Sequence, residues 1–382
     1  MRVSLSHPHH LARLAPALSL VVASACIGSG SGGMGQLGPA GPRASVSSAP
    51  KSDWIQMFDG KDLSGWDIKF AKHELNDNFN NTFRVEEGLL KVRYDKWNAF
   101  NGEFGHIFYK QPFSYYLVAA EYRFVGNQVA GAGPSLEWAL RNNGIMVHGQ
   151  TAESMGLNQD FPISLEVQLL GGLGRGPRST ANLCTPGTNV YFGDALTTEH
   201  CINSTSRTYE GDQWVRVEAL VLGDSIIRHI VNGDTVMTYR RPEMGGAFAN
   251  DTKPGVLVPN KVIAGGTISL QAETAEIDFR IVEILNLKGC TDPKASNYRP
   301  YYVKSDPAAC RWTSLKNHEG PLTSFKLSVG SASISRLRGS MPARTGFAAS
   351  SAVMSRQVAE TNLGIVVVFN FLEDLKRRMA AK

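Results

Sequence analysis

Glu166 and Gln168 stand two residues apart in Ile163-Ser164-Leu165-Glu166-Val167-Gln168-Leu169-Leu170. In an extended strand both side chains leave the same face, and a carboxylate beside a carboxamide can grip neighbouring hydroxyls. Glu121 and Arg123 repeat that spacing within residues 115–125. His148 is the natural general base, because its unperturbed pKa lies near neutrality. These residues make a candidate acid–base site. His148, Glu166 and Glu121 would move protons, and Gln168, Asn143, Arg123 and Trp138 would hold a substrate. Trp138, Trp97 and Tyr109 could stack on a sugar ring. His148 and Glu166, with Glu121, could also hold a divalent metal, although no HxH or HExxH spacing marks one. No other cofactor is called for. Each residue has an ordinary alternative. A Glu on the outer face of an antiparallel sheet is commonly solvated. His148 could bond a loop carbonyl, Asn143 could serve a turn, and the aromatics could be core or rim.

The elements that must position these groups are strands. Phe83, Val85, Leu90 and Val92 alternate around a Glu87-Gly88 turn, and Tyr116, Val118, Ala120, Tyr122 and Phe124 share one face. Residues 144–149 and 163–170 alternate too, as do 214–222, 225–231, 235–239, 267–271 and 277–285. Asn232-Gly233 is a hairpin signal, since both residues tolerate the positive φ of a type I′ turn. No long stretch between 53 and 286 carries a helical period. Many short strands without intervening helices predict an all-β fold, an antiparallel β-sandwich or jelly roll. One outer face of such a sandwich, when curved, becomes a groove lined by alternate residues.

The rest of the chain bounds the setting. Of 382 residues 42% are hydrophobic and 19% charged, which fits a globular protein. The net charge of +5 is spread without a basic block, which argues against a nucleic-acid partner. Arg2 and Arg13 flank a basic start, and an apolar run follows over 14–25. The run is too short to span a bilayer and reads as an export signal. Ala23-Ser24-Ala25 fits ordinary signal cleavage, and with Cys26 it resembles a bacterial lipobox, the preferred reading, in which Cys26 is the lipidated residue and membrane anchor. Signal and lipobox occupy 1–26, and a Gly/Ser/Pro-rich linker occupies 27–52. The protein is therefore expected in the periplasm or at the cell surface. Cys184, Cys201, Cys290 and Cys310 remain, an even number for an oxidising compartment. Of the three pairings, the local Cys184–Cys201 and Cys290–Cys310 is preferred, with a zinc site as the alternative. Residues 289–312 form a short Cys-bearing appendix. Residues 313–382 read as a poorly structured tail, with a helix expected over 363–379.

Several motifs then coincide over 53–288. Phe58-Asp59-Gly60-Lys61-Asp62-Leu63-Ser64-Gly65-Trp66 opens the region, and Asn142-Asn143-Gly144-Ile145-Met146-Val147-His148 lies in its middle. Ile163 to Gly172 follows, and Gly266-Thr267-Ile268-Ser269-Leu270-Gln271 with Ile277-Asp278-Phe279-Arg280 closes it. In order and spacing these resemble the 3-keto-disaccharide hydrolase family, which has a concanavalin A-like jelly roll. Glu121-Tyr122-Arg123 resembles that family's Glu-Trp-Arg, with Tyr in place of Trp. Residues 178–208 look like an enlarged loop pinned by Cys184 and Cys201. The resemblance implies an exported hydrolase or lyase acting on 3-keto-disaccharides or 3-keto-glycosides. Its chemistry would be base-assisted elimination across C1–C2 followed by hydration. A polysaccharide-binding module without turnover is the competing reading, and a structural envelope protein a third. Convergence of the polar residues on one pocket would favour the enzyme.

Overall fold

The computed structural model describes residues 49–312, together with the backbone of Val358–Glu360 and Val366–Val368. The export signal, the linker up to residue 48, Cys26 and most of the tail lie outside the described residues. In chain order the first strands are β1 (Ile55–Gln56), β2 (Trp66–Phe70), β3 (Phe83–Glu86), β4 (Leu89–Val92), β5 (Gly105–Phe113), β6 (Tyr115–Gln128) and β7 (Asn142–Gly149). Next come β8 (Leu165–Leu170), β9 (Asn182–Cys184), β10 (Thr188–Phe192), β11 (Ala195–Thr197) and β12 (Cys201–Ile202). The last long ones are β13 (Val215–Leu222), β14 (Ile226–Val231), β15 (Asp234–Met244), β16 (Gly266–Ala272) and β17 (Ala275–Asn286).

They form two antiparallel sheets. One runs β11-β10-β15-β14-β13-β6-β17-β4-β3, with β1 on β17; the other runs β12-β9-β8-β7-β16-β5-β2. The core lies between them. Tyr116, Val118, Ala120 and Tyr122 of β6 meet Leu165, Val167 and Leu169 of β8 and Ile268 and Leu270 of β16 in one buried cluster. Each fully buried Val, Leu or Ile side chain among them contributes roughly 1.5–3 kcal/mol. This is the jelly-roll sandwich the alternating pattern predicts. The Glu87-Gly88 and Asn232-Gly233 turns form as expected, with φ of 55° and 73°, then 49° and 96°.

Both expected disulfides are present, Cys184–Cys201 and Cys290–Cys310. Residues 178–208 are more than a loop. They supply β9 and β12 to the edge of one sheet and β10 and β11 to the edge of the other, and Cys184 lies opposite Cys201 in the β9–β12 pair. In the appendix, Arg299 and Tyr301 both donate to the Asp53 carboxylate, at 2.7 and 2.8 Å, tying it to the start of the domain. One expectation fails in part. Val366–Val368 is a strand paired with Val358–Glu360, not helix. Three consecutive β-branched residues favour the extended chain there.

Candidate active site

The outer face of the seven-stranded sheet carries the site. On β8, Leu165, Val167 and Leu169 face the core, so Glu166 and Gln168 face outward. On β16, Ile268, Leu270 and Ala272 face the core, so Ser269, Gln271 and then Glu273 face outward. Glu166 sits opposite Met146 on one side and Cys184 on the other. Gly144 completes the cradle. A Cβ there would stand 2.5 Å from Glu166 Oε1 and 2.7 Å from its Cγ, so the carboxylate occupies the space a side chain would fill.

Glu166 and Glu273 meet at the floor of a cavity of about 240 Å³. They are 5% and 3% exposed. Among the described residues, Glu166 Oε1 and Glu273 Oε2 have no hydrogen-bond partner. Burial pushes Glu166 up to about 8. Burial, with the nearby Glu166 charge added, pushes Glu273 well above the ordinary carboxylate range. Two carboxyls that cannot both ionise easily have the chemistry to serve as an acid and a base. Beside them, Asn182 Nδ2 donates to Gln168 Oε1 at 3.2 Å, leaving the Gln168 amide nitrogen as a donor. A further polar row lies on the same face. Gln271, Ser269 and His106 are buried, with side-chain nitrogen and oxygen atoms that find no partner. Burial, with Lys69 close by, holds His106 down at about 3, so its imidazole is neutral.

The walls are aromatic. Phe104 packs on Phe161 at 4.9 Å and on Trp138 at 6.3 Å between centroids. His200 stacks on Phe248 at 3.9 Å, beside the Cys184–Cys201 disulfide.

Of the catalytic and substrate-binding candidates read from the sequence, Glu166, Gln168 and Trp138 line this cavity. The others do not. His148 is turned away by a β-bulge. Three steps of β7, from Met146 to Gly149, pair with two of β16, and His148 takes φ 54°. The extra residue swings its ring toward the other sheet, where Nε2–H donates to Gly223 O at 3.0 Å and the ring meets Tyr116 edge-on. It serves as the structural histidine, not the base, and cannot share a metal with Glu166. Glu121 and Arg123 lie on the outer face of the opposite sheet, because Ala120, Tyr122 and Phe124 of β6 face the core. Glu121 pairs there with Arg216 and Arg280, and Arg123 with Asp278. Asn143 is buried; its Nδ2 donates to Gln271 O at 2.6 Å and its Oδ1 accepts from Gly144 N. It fixes the β7–β16 junction. Trp97 is core, bonded through Nε1 to Thr82. Among the described residues, the one cluster with three metal-type donors is Cys184, His200 and Cys201, and both thiols are spent in the disulfide.

Glu273 is the main residue that the sequence reading missed. Its signal was present: Thr267, Ser269, Gln271 and Glu273 alternate with Ile268, Leu270 and Ala272. Ending the strand at Gln271 cut off its last outward member.

Comparison with known proteins gives a family. The model of the 3-keto-alpha-glucoside-1,2-lyase-like domain matches residues 53–285. Among solved structures, a Parabacteroides distasonis protein provisionally named a glycosyl hydrolase is 15% identical, with a TM-score of 0.36 over 61% of this chain and 98% of that one. The carbohydrate binding module CBM66 from Bacillus subtilis is 10% identical, with a TM-score of 0.33 over 58% of this chain and 96% of its own. No curated protein matches the sequence.

Proposed function

The chain belongs to the 3-keto-alpha-glucoside-1,2-lyase-like family, and from that premise we propose that it cleaves 3-keto-glycosides with Glu166 and Glu273 as its acid–base pair. The observation that carries this is the pair itself, two buried, unpartnered carboxyls at the floor of one pocket. A sugar ketone at C3 acidifies the C2 hydrogen. Burial raises both carboxyls and the Glu166 charge raises Glu273 further, so Glu166 is assigned as the base and Glu273 as the acid. It removes the C2 proton, and the developing enolate oxygen at C3 takes a hydrogen bond from the Gln168 amide. The C2 electron pair then forms C1=C2 as the C1–O bond breaks, and Glu273 gives its proton to the departing oxygen. Water adding at C1, with a proton returned to C2, completes net hydrolysis. A binding-only role leaves the raised carboxyls without a use.

The test is turnover of synthetic 3-keto-glucosides beside their unoxidised parents. Cleavage of the keto substrates alone, abolished in Glu166→Gln and Glu273→Gln, is the expected result. Retention on a polysaccharide column with no cleavage of either would replace the enzyme by a binding module.

We also place the protein outside the cytoplasm, with Cys26 as its lipid anchor. The basic-then-apolar N-terminus and two disulfides support this. Intact mass of the protein from membranes checks it: a diacylglyceryl adduct on Cys26 is expected, and an unprocessed chain in the cytosol would overturn it.

A further inference from the structure

The floor and the mouth of the pocket differ in chemistry. Carboxyl and amide groups come only from the floor, as Glu166, Gln168 and Glu273. Outward of them the lining is Phe104, Phe161, Trp138, Pro186, Phe248 and His200. Trp138 and Phe248 are 49% and 53% exposed, so they stand at the solvent end. Phe248 holds its place at φ 63°, a left-handed backbone that disfavours a bulky residue. Burial lowers the His200 pKa, so at neutral pH this wall carries no charge.

A second sugar ring entering such a mouth would give up water from several hydroxyls and find few polar partners to replace it. A flat aromatic ring would give up little and gain face and edge contacts on both aromatic groups. We propose that the mouth is an aglycone subsite for an aromatic leaving group, so that the preferred substrates are 3-keto-glucosides of aryl or arylalkyl alcohols, not disaccharides. This rests on reading the floor as a 3-keto-glycoside site. Atoms balance as in the elimination above, with the aglycone leaving as its alcohol or phenol.

The probes are benzyl 3-keto-glucoside, methyl 3-keto-glucoside and 3-keto-trehalose, tested on the full chain. Benzyl and methyl aglycones both leave as simple alcohols, so their difference reports mainly binding. The expected kcat/KM for the benzyl compound is about tenfold above both others, a gain of the size aromatic contacts give. Trp138→Ala and Phe248→Ala should shrink the benzyl-to-methyl ratio several-fold. Preference for 3-keto-trehalose, or a ratio unmoved by both variants, would overturn the subsite. If none of the three is cleaved, the reaction fails but the subsite is still judged. Calorimetric titration with unoxidised benzyl and methyl glucosides should then show tighter benzyl binding that both variants weaken, and equal binding would overturn it.

Discussion

Each outer face of this sandwich carries a glutamate two residues ahead of a second polar side chain, and the two faces use that glutamate in opposite ways. On β6, Glu121 and Arg123 enter a web of opposite charges. Arg216 reaches Glu121, Glu218 and Glu283, and Asp278 lies between Arg93 and Arg123. On β8 and just beyond β16, Glu166 and Glu273 face each other, and among the described residues no cation answers them. The first arrangement satisfies its charges and holds strands together. The second stores a protonation problem that a substrate can resolve. A polar residue on the outer face of a strand therefore points to chemistry only when its partner is missing.

Breaking each face should separate the two roles. The largest effect expected is on turnover in Glu166→Gln, a loss of about 10²–10⁴-fold, the usual range for a positioned proton-transfer group. Glu121→Gln, on the other face, should change the same rate by less than about threefold. Steady-state kinetics on a 3-keto-glucoside compares them, and equal losses would erase the distinction between the faces. Next in size is Asp278→Asn. It leaves Arg93 and Arg123 around a neutral amide on a nearly buried site, at a cost of about 3–5 kcal/mol in denaturant unfolding. Gly144→Ala should follow with a loss of about 10–100-fold in kcat, because the added methyl displaces the Glu166 carboxylate.

The smallest effect is on stability and has the opposite sign from Asp278→Asn. Glu166 has its folded pKa raised from 4.5 to about 8. Between those values the unfolded chain has released the proton and the native chain holds it, so stability falls as pH rises through that window. Glu166→Gln removes this dependence. Its melting temperature should exceed the parent's by a few degrees near pH 8 and by less near pH 5. A variant that melts lower than the parent at pH 8 would mean the carboxyl has a partner. The same shift should make kcat/KM rise with pH toward about 8 in the free enzyme.

Much of this was readable from the chain. Alternation in 163–170 placed Glu166 and Gln168 outward, and the locality of the cysteines gave both disulfides. Two kinds of information were not local. Which sheet a strand joins decides whether its outer face is the groove, and nothing in residues 115–125 says that β6 joins the other sheet. A bulge shifts the face of every later residue by one, and nothing around His148 announces it. The aromatic walls come from four separate connections, at Phe104, Trp138, Phe161 and Phe248. Only the closed fold brings them together.

The most direct measurement follows the C2 hydrogen. A 3-keto-glucoside is incubated in D₂O with wild type and with Glu166→Gln, and C2–H loss is read by NMR beside glycoside cleavage. We predict enzyme-dependent C2 exchange or elimination in the wild type, with both falling to the uncatalysed rate in Glu166→Gln. Cleavage that proceeds with the C2 hydrogen retained, or exchange undiminished in Glu166→Gln, would contradict the assignment of this carboxylate as the base.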